Sequence, residues 1–455
     1  MLLDTLRVWT SLHVPVPHNP GREQMTITYA ELLARRRRKA DSKGRDIDRS
    51  DIHPSLFPHQ KDIVQWAVKG QRRAIWADTG LGKTRMQLEW ARLSADYALI
   101  VAPLAVCSQT VREAAELGIT SRFVTDPADV DQPGVYVTNY EQVEKFDPAL
   151  FGAVCLDESS ILKASDGKTR TMLINHFQDV PNRLACTATP GPNDPEELTN
   201  HAEFLGQMTR ANMLAAYFVN DERDWRIKGH AIGPMVDWMN TWAVAIRKPS
   251  DLGYDDTGYD LPDPVIIPQI VESYITPAEG ELFAAHVGGV SGRSRVRKET
   301  LQDRVNRAVE LVESEPDEPW FLWCGLNAEA DALAKAIPGA VNVDGSMSAQ
   351  AKADALNAFS DGEIRVLITK PQIASFGMNW QHCARMAFVG LSDSYEQYYQ
   401  CIRRCHRFGQ QREVHAHIVV SALEQTIAHN VAQKQEQANK LIGLMIDQRK
   451  ELLAA

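Results

Sequence analysis

The sequence of 455 residues lacks several features that would assign it to particular classes of protein. No apolar run approaches the roughly 18 residues that a membrane-spanning helix requires. The first residues, MLLDTLRVWTSLHVPVP, have no basic segment before their apolar stretch, so we expect no secretory signal. There is no repeat of solenoid type. These absences predict a globular protein of the cytoplasm that does not enter a membrane.

Cysteine spacing gives no sign of disulfides or of a structural zinc site. The seven cysteines are scattered, odd in number, and in several cases placed in apolar, strand-like runs. This pattern predicts reduced thiols. Cys401, Cys405 and His406 are close in sequence, but no second Cys/His pair has zinc spacing. We therefore expect Cys401 and Cys405 to pack in the interior.

The chain is acidic overall, with a net charge of −10. This does not exclude a nucleic-acid partner, because binding depends on local basic surface and not on the total charge. The strongest basic run is RRRRK, residues 35–39. It could contact phosphates, or it could be the solvated end of a helix, and the sequence leaves both interpretations open.

Short apolar strand candidates alternate with helical stretches in two parts of the chain, which predicts an α/β fold with two tandem parallel-sheet domains. The candidate strands are 74–77, 97–102, 134–138, 153–158 and 183–189, then 319–325, 340–343, 364–370, 385–390 and 414–420. The predicted organisation is a leader (1–50), a first domain (51–247) with a helical insertion at about 200–247, a linker (248–268), a second domain (269–423) and a C-terminal amphipathic helix (424–455).

The stretch WADTGLGKT, residues 76–84, predicts a phosphate-binding loop, although Ala77 stands where the common pattern has glycine. It follows an apolar strand and opens a helix, which is the context such a loop needs. Lys83 would reach the β- and γ-phosphates of ATP, and Thr84 would bind Mg²⁺. The predicted nucleotide contacts of the loop are Asp78, Thr79, Gly80, Leu81, Gly82, Lys83 and Thr84.

Three further signals complete a candidate ATP site. Asp157 and Glu158 end an apolar strand, where they would hold Mg²⁺ and orient the attacking water, or else cap the next turn. Gln60 lies 23 residues before Lys83, and its amide could read an adenine edge. Arg404 and Arg407 share one helix face and could be arginine fingers, or a basic face for nucleic-acid phosphates.

Taken in order, these motifs resemble those of the helicase-like ATPases of superfamily two. The ordered set is the glutamine of LFPHQ, ADTGLGKT, DESS, TATP and QCIRRCHRFGQ, and the forms ADTGLGKT and HRFGQ resemble the Swi/Snf-type branch. Alanine at the first loop position is usual in that branch. The resemblance covers residues from about 56 to about 423, and the stretch after TATP is similar to small bacteriophage-encoded members.

The resemblance implies two RecA-like lobes that use ATP and Mg²⁺ and bind DNA, in a host cytoplasm if the protein is phage-encoded. It places Pro103, Thr138 and Asn139 at contacts with one DNA strand. Thr187 and Thr189 would couple the nucleotide to the DNA groove. In the second lobe, Gly377 would contact the nucleotide and Asn379 the DNA, within the motif SFGMNW.

One departure from the family pattern concerns the box after the strand that ends at Asp157. The family has a histidine where this chain has Ser160, and that histidine normally links the γ-phosphate to the TATP motif. The coupling path, rather than hydrolysis itself, is therefore in question. The chain also shows none of the large insertions of chromatin remodellers, which disfavours nucleosome remodelling.

The leading hypothesis is a DNA-dependent ATPase that translocates on duplex or forked DNA, with replication or recombination proteins as possible partners. A monomer would suffice, because the loop and the fingers belong to one chain. The alternatives are a strand-separating helicase, an annealing or fork-remodelling motor, an ATP-gated switch that barely hydrolyses, and the motor subunit of a restriction-modification assembly.

Two regions outside these motifs have open interpretations. Trp225, Trp238 and Trp242 could stack on bases, or could pack the insertion against the first lobe. The stretch WRIKGH, with Arg226, Lys228 and His230, is a candidate DNA contact. We expect the C-terminal helix to pack back on the lobes, with docking of a partner as the other interpretation.

Overall fold

The computed structural model of the protein describes residues 40–164, 166–221, 225–259, 261–272, 297–374, 380–392 and 394–454. All of these residues belong to one compact unit of the chain. Several predicted features lie outside the described residues: most of the leader, the basic run 35–39, Gly377 and Asn379.

The first half of the described chain builds a seven-stranded sheet. The strands of this half of the chain are β1 (Arg72–Ala77), β2 (Tyr97–Ala102), β3 (Ser121–Phe123), β4 (Gly134–Asn139), β5 (Ala153–Asp157), β6 (Asn182–Cys186), β7 (Phe218–Asn220), β8 (Trp225–Ile227) and β9 (Ala243–Ile246). β7 and β8 form a separate antiparallel hairpin. The other seven are parallel, in the order β3-β4-β2-β5-β6-β1-β9.

Helices cover both faces of this sheet, and together they form what we call the first lobe. They are α1 (Pro58–Gly70), α2 (Lys83–Ser94), α3 (Leu104–Glu116), α4 (Lys168–His176), α5 (Leu198–Phe204), α6 (Arg210–Tyr217) and α7 (Ile232–Met239). Alternate residues of β1 enter different cores: Trp76 packs with Trp242, whereas Ile75 packs with Leu88. Burial on both faces is the reason for the near-continuous apolar runs in the sequence.

A second sheet of six parallel strands follows. Its strands are β10 (Val265–Val271), β11 (Trp320–Cys324), β12 (Val341–Val343), β13 (Val366–Thr369), β14 (Arg385–Val389) and β15 (His415–Ser421). The order is β10-β15-β14-β11-β13-β12. The helices after β10 are α8 (Leu301–Ser314), α9 (Asn327–Ala336), α10 (Ala349–Ser360), α11 (Pro371–Ala374), α12 (Tyr395–Cys405) and α13 (Gln425–Ala454).

We call this second sheet and α8–α12 the second lobe. The two parallel sheets, each with a core on both faces, confirm the predicted α/β class with two tandem parallel-sheet domains. All seven cysteines are free and buried, so Cys401 and Cys405 pack in the interior as expected. None of the described helices is long and apolar enough to cross a membrane.

Five strands were not expected from the sequence: β3, β9, β10 and the two strands of the hairpin, β7 and β8. β3 has three residues and β9 four, and β9 lies in the stretch 200–247, which is therefore not purely helical. β10 begins inside the range 248–268 that was read as a linker. Pro268 explains this difference, because proline is tolerated in a strand only at a sheet edge, and β10 is an edge strand.

Packing of the tryptophans and of α13 agrees with the expectations. Trp238 and Trp242 are buried in the first lobe, and Trp225 packs partly buried against the same core. α13 touches both lobes, because Val431 joins a core of the second lobe and Met445 joins a core of the first. The helix therefore spans the junction between the lobes.

Candidate nucleotide site between the lobes

The segment from Asp78 to Gly82 is a tight loop between β1 and α2. Gly80 and Gly82 have φ angles of +86° and +78°, a left-handed conformation that residues with a Cβ rarely adopt. A Cβ at Gly82 would also lie 2.3 Å from Nε2 of Gln60. α2 begins at Lys83, so its N-terminus adds positive potential beside the loop. The segment has the geometry of a phosphate-binding loop.

Lys83 folds back over this loop. Its Nζ donates to the carbonyl of Ala77 at 2.9 Å and to that of Asp78 at 3.4 Å. Thr84 follows in the first turn of α2 and is partly buried. The ammonium is therefore already positioned at the loop, where it would exchange backbone oxygens for phosphate oxygens.

The acidic pair lies at the end of β5, two strands from β1 in the sheet. Asp157 Oδ1 accepts a hydrogen bond from Nε2 of Gln87 on α2, at 2.7 Å. Burial raises the pKa of Asp157, although the Gln87 bond and the charge of Lys83 act against the shift. Burial also raises the pKa of Glu158 to about 7; Lys83 opposes this shift and Asp157 adds to it. Glu158 is thus suited to exchange a proton near neutral pH.

Glu158 is the point where the TATP segment meets the site. The hydroxyl of Thr187 donates to Glu158 Oε2 at 3.3 Å, and the amide of Thr189 donates to the Thr187 hydroxyl at 3.1 Å. These bonds place Thr187 and Thr189 beside the nucleotide site. Their predicted coupling to a DNA groove stays a prediction.

Gln60 is buried against the P-loop. Its Oε1 accepts from the amide of Phe57 at 2.9 Å, and its Nε2 donates to the carbonyl of Leu81 at 3.0 Å. Each group of the amide retains one further hydrogen-bonding position. The structure therefore gives Gln60 a role in holding the loop, and its reading of adenine stays a prediction.

Helix α12 brings the second lobe to the same carboxylate. Gln400 Nε2 approaches Glu158 Oε2 at 3.5 Å, and Gln400 Oε1 accepts from Nη2 of Arg404 at 3.0 Å. Burial lowers the pKa of Arg404, whereas Glu158 opposes that shift. Arg407 lies beyond the end of α12 at Cys405, so the expectation that it shares a helix face with Arg404 is wrong. Burial, reinforced by the charge of Arg404, lowers the pKa of Arg407 to about 10. Two guanidinium groups in a poorly solvated place would be stabilised by an anion between the lobes.

A second contact between the lobes involves residues that the sequence did not single out for this role. Arg403 Nη2 forms an ion pair with Asp78 Oδ2 of the P-loop at 2.6 Å, and the hydroxyl of Tyr399 also donates to Asp78. Lys163 pairs with Glu396 of α12. The only sequence signal was that Arg403 and Tyr399 lie in the same predicted helix as Arg404, one and five residues before it.

An aromatic cluster from three parts of the chain lies beside the loop, and was also missed. We use this name for Phe57, His59, Tyr254, Tyr259 and Phe408. The rings of Tyr259 and Phe408 are 4.9 Å apart between centroids. A Cβ at Gly80 would lie 3.1 Å from the amide nitrogen of Phe408. Phe57 and Phe408 are exposed, so the cluster presents aromatic surface to solvent next to the loop.

The residues predicted to contact DNA are engaged in local structure. The hydroxyl of Thr138 is buried and donates to the carbonyl of Val124 at 2.8 Å. Asn139 Oδ1 accepts from the amide of Gln142 at 3.0 Å. Pro103 precedes α3 and is partly buried. Contacts of these three residues with DNA stay predictions, as do those of Gly377 and Asn379, which lie outside the described residues.

The basic residues of WRIKGH also have partners. Arg226 pairs with Asp221 at 3.5 Å, and Lys228 donates to the carbonyl of Ala215 at 2.8 Å. His230 lies in a short turn before α7. Their interpretation as DNA contacts stays open.

Comparison with known proteins is informative for the second lobe. Residues 303–409 match the family described as "Helicase conserved C-terminal domain", and this range includes α12 and Arg407. A search of curated proteins gave no match. Among solved structures, the chain is similar to the Sulfolobus solfataricus SWI2/SNF2 ATPase core in complex with dsDNA, with 17% identity and a TM-score of 0.43, over 88% of this chain and 95% of that chain.

Proposed function

We propose that the protein is an ATPase that couples ATP hydrolysis, in the cleft between its lobes, to movement along DNA. The observation that carries this proposal is the convergence of both lobes on Glu158. Thr187 of the first lobe and Gln400 of the second donate to the same oxygen, at 3.3 Å and 3.5 Å. A carboxylate contacted by both lobes changes its surroundings whenever the lobes move.

The first lobe has the groups that bind the phosphates. Lys83 and the amides of the loop would hold the β- and γ-phosphates of ATP. Thr84 and Asp157 supply the oxygen ligands that Mg²⁺ prefers, so these residues fit the metal. When bound, Mg²⁺ neutralises charge on the phosphates.

The hydrolytic step assigns one role to each lobe. Glu158 orients water and accepts its proton, for which a pKa of about 7 is suitable. Arg404 and Arg407 stabilise the charge on the transferred phosphoryl group, as arginine fingers do. Arg404 is buried and Arg407 is partly buried, which favours this role because an anion relieves the cost of two neighbouring, poorly solvated cations.

The aromatic cluster, with Gln60, would bind the adenine base. A purine can stack on the exposed rings of Phe57 and Phe408, and Tyr259 supports Phe408 from the side. Since these rings come from both lobes and from the segment between them, base binding would favour the closed arrangement.

A nucleic acid as the track is supported by the similarity of residues 303–409 to a helicase C-terminal domain, and DNA as that nucleic acid follows from the motif resemblance. Duplex or forked DNA, and a role in phage DNA replication or recombination in a host cytoplasm, rest on the motif resemblance alone. One chain suffices for the site, because the loop and the arginines belong to the same molecule. The alternative functions are strand separation, strand annealing and the motor subunit of a restriction-modification assembly.

The test is ATP turnover by purified protein without nucleic acid and with single-stranded DNA, duplex DNA, forked DNA or RNA. A Lys83→Ala variant serves as the control. Strong stimulation by duplex or forked DNA that disappears in the control supports the motor. A forked duplex labelled with a fluorophore and a quencher shows in the same reactions whether the strands separate.

Tight ATP binding without turnover on any polymer would contradict the motor. That result would favour an ATP-gated switch, in which the contacts of Arg403 and Tyr399 with Asp78 report the nucleotide state to a partner. Stimulation by RNA alone would contradict DNA as the track.

A further inference from the structure

The backbone of Glu158 is in an unusual conformation. Its φ angle is +54°, and Gln71 is the other non-glycine residue with positive φ among the described residues. The left-handed region is unfavourable for residues with a Cβ, so neighbouring contacts must maintain it. At a residue that would orient the attacking water, such strain calls for an identifiable support.

That support comes from the helix after the TATP segment. Residues Ser159–Lys163 form a short 3₁₀ turn directly after Glu158. At its start, Ser159 Oγ is 3.0 Å from Nε2 of His201 on α5. At its end, Asn200 Nδ2 donates to the carbonyls of Leu162 at 2.8 Å and Lys163 at 3.2 Å. Two adjacent residues of α5 therefore hold both ends of the turn.

His201 is fully buried, and its ring lies edge-on to Trp76 of the P-loop strand, with centroids 5.8 Å apart. Burial lowers its pKa to about 4, against the effect of the Glu197 carbonyl, so the ring is neutral at physiological pH. The contact between Nε2 and the Ser159 hydroxyl is the side-chain hydrogen bond that joins this ring to the turn.

The same turn touches the second lobe. Lys163, its last residue, pairs with Glu396 in the first turn of α12, the helix that carries Gln400 and Arg404. Asn200 is itself fixed, because Nε of Arg170 donates to its Oδ1 at 3.2 Å. A displacement of α12 would therefore pull one end of the turn while α5 holds it.

We propose that His201 is a positioning residue for ATP hydrolysis, which holds the Ser159–Lys163 turn so that Glu158 keeps its strained geometry and responds to the second lobe. This inference rests on the proposed ATPase function. It gives a physical account of the departure at Ser160. The DESS segment has no histidine of its own, but its Ser159 is contacted by His201 of α5.

The test compares four single variants in the full-length chain. His201→Leu removes the bond at similar volume, Ser159→Ala removes only its hydroxyl, and His201→Gln offers an amide where Nε2 stood. Phe204→Leu is the matched control, because Phe204 is equally buried at the end of α5 but its side chain cannot form a hydrogen bond with the turn. The measurements are the Kd of a fluorescent ATP analogue, kcat and KM with saturating duplex DNA, and Tm.

We expect His201→Leu and Ser159→Ala to lower kcat about 10- to 100-fold through misplacement of Glu158. The Kd should change by less than about twofold, since the P-loop is intact. A variant that combines His201→Leu with Ser159→Ala should have a kcat no lower than that of the slower single variant, as expected for two residues that act through one bond. His201→Gln should recover most of kcat, and Phe204→Leu should lower Tm but leave kcat near the wild-type value.

The proposal is overturned if His201→Leu lowers kcat no more than Phe204→Leu does, or if the effects of His201→Leu and Ser159→Ala multiply. Should His201→Leu fail to fold, Ser159→Ala decides alone, because loss of one hydroxyl leaves the packing intact. Wild-type turnover with unchanged variants rejects only the role of His201. Absence of wild-type turnover rejects the ATPase function and this inference together.

Discussion

In the first lobe, most of the groups that would meet ATP are held by other groups of the same lobe, whereas Asp78 of the loop is held from the second lobe. Lys83 donates to the carbonyls of its own loop, Asp157 accepts from Gln87, and Glu158 accepts from Thr187. These contacts do not require the second lobe. Phosphate binding is therefore prepared before the lobes meet.

In the second lobe, the corresponding groups find their charge partners across the junction. Arg403 pairs with Asp78, and Glu158 is the carboxylate that acts on the pKa of Arg404. Burial leaves Arg404 and Arg407 as neighbouring cations whose pKa values are lowered. The second lobe thus supplies positive charge to which Asp78 and Glu158 of the first lobe are carboxylate neighbours.

The difference teaches that binding and turnover belong to different parts of the molecule. A change in the phosphate loop should affect both binding and turnover. A change of Arg404 or Arg407 should affect turnover alone. The comparison can be tested by variants that act on one lobe at a time.

The variant Arg407→Ala is expected to separate ATP binding from ATP turnover most strongly. Loss of one arginine finger costs on the order of 10³-fold in rate, while the loop that binds the phosphates is untouched. We therefore expect near-normal ATP binding and almost no turnover, measured by calorimetry and by phosphate release. Arg412→Ala is the matched control, since Arg412 is exposed and pairs with Glu318 of its own lobe. Near-normal turnover in Arg407→Ala would remove Arg407 from the site.

The pH dependence of the reaction tests the role of Glu158 as the proton acceptor. Its carboxyl must be ionised to accept a proton, and burial raises its pKa to about 7. We expect kcat/KM to fall about tenfold per pH unit below a midpoint near 7 and to level off above it. Glu158→Gln should be inactive at every pH while binding ATP. A rate that stays flat from pH 5.5 to pH 8 would contradict this role.

A smaller effect is expected at the aromatic cluster. Aromatic contacts contribute about 0.5–1.5 kcal/mol beyond area burial, so Tyr259→Ala should weaken ATP binding by roughly 3- to 10-fold. Tyr259→Phe keeps the ring and should bind normally. Tyr217→Ala is the control, because Tyr217 stacks on Trp238 within the first lobe, away from the loop. Equal ATP affinity in Tyr259→Ala and wild type would exclude the cluster from the base site.

The smallest expected effect is on the resting arrangement of the lobes. Arg403→Ala removes the ion pair with Asp78, and we expect a wider distance between the lobes without nucleotide that ATP restores. Fluorescence energy transfer between one label on each lobe would report it. Arg385→Ala is the matched control, since Arg385 pairs with Glu315 inside the second lobe at 2.8 Å. An unchanged distance in Arg403→Ala would show that other contacts set the arrangement.

Residues with short-range signals could be predicted from the sequence. Lys83 follows a strand and opens a helix, and Glu158 ends a strand, so local pattern placed both at the same edge of the parallel sheet. The two-sheet α/β fold followed from the alternation of buried runs with helices. These features depend on neighbours in the chain, which the sequence shows directly.

The residues that were missed depend on contacts between distant segments. Tyr259 lies in a Gly/Asp/Pro-rich stretch that reads as a linker, and its place beside Phe408 depends on how the two lobes meet. His201 belongs to a short helix with no motif, and its bond to Ser159 spans 42 residues of sequence. Local pattern contains no information on either pairing.

The most direct test of the central claim is to mix two inactive proteins, Lys83→Ala and Arg407→Ala, and measure ATP turnover with duplex DNA. If one chain supplies both the phosphate loop and the arginine finger, neither protein repairs the other and the mixture stays inactive. Turnover that rises with the concentration of the mixture would mean that the site is completed by a second chain, and would contradict the account.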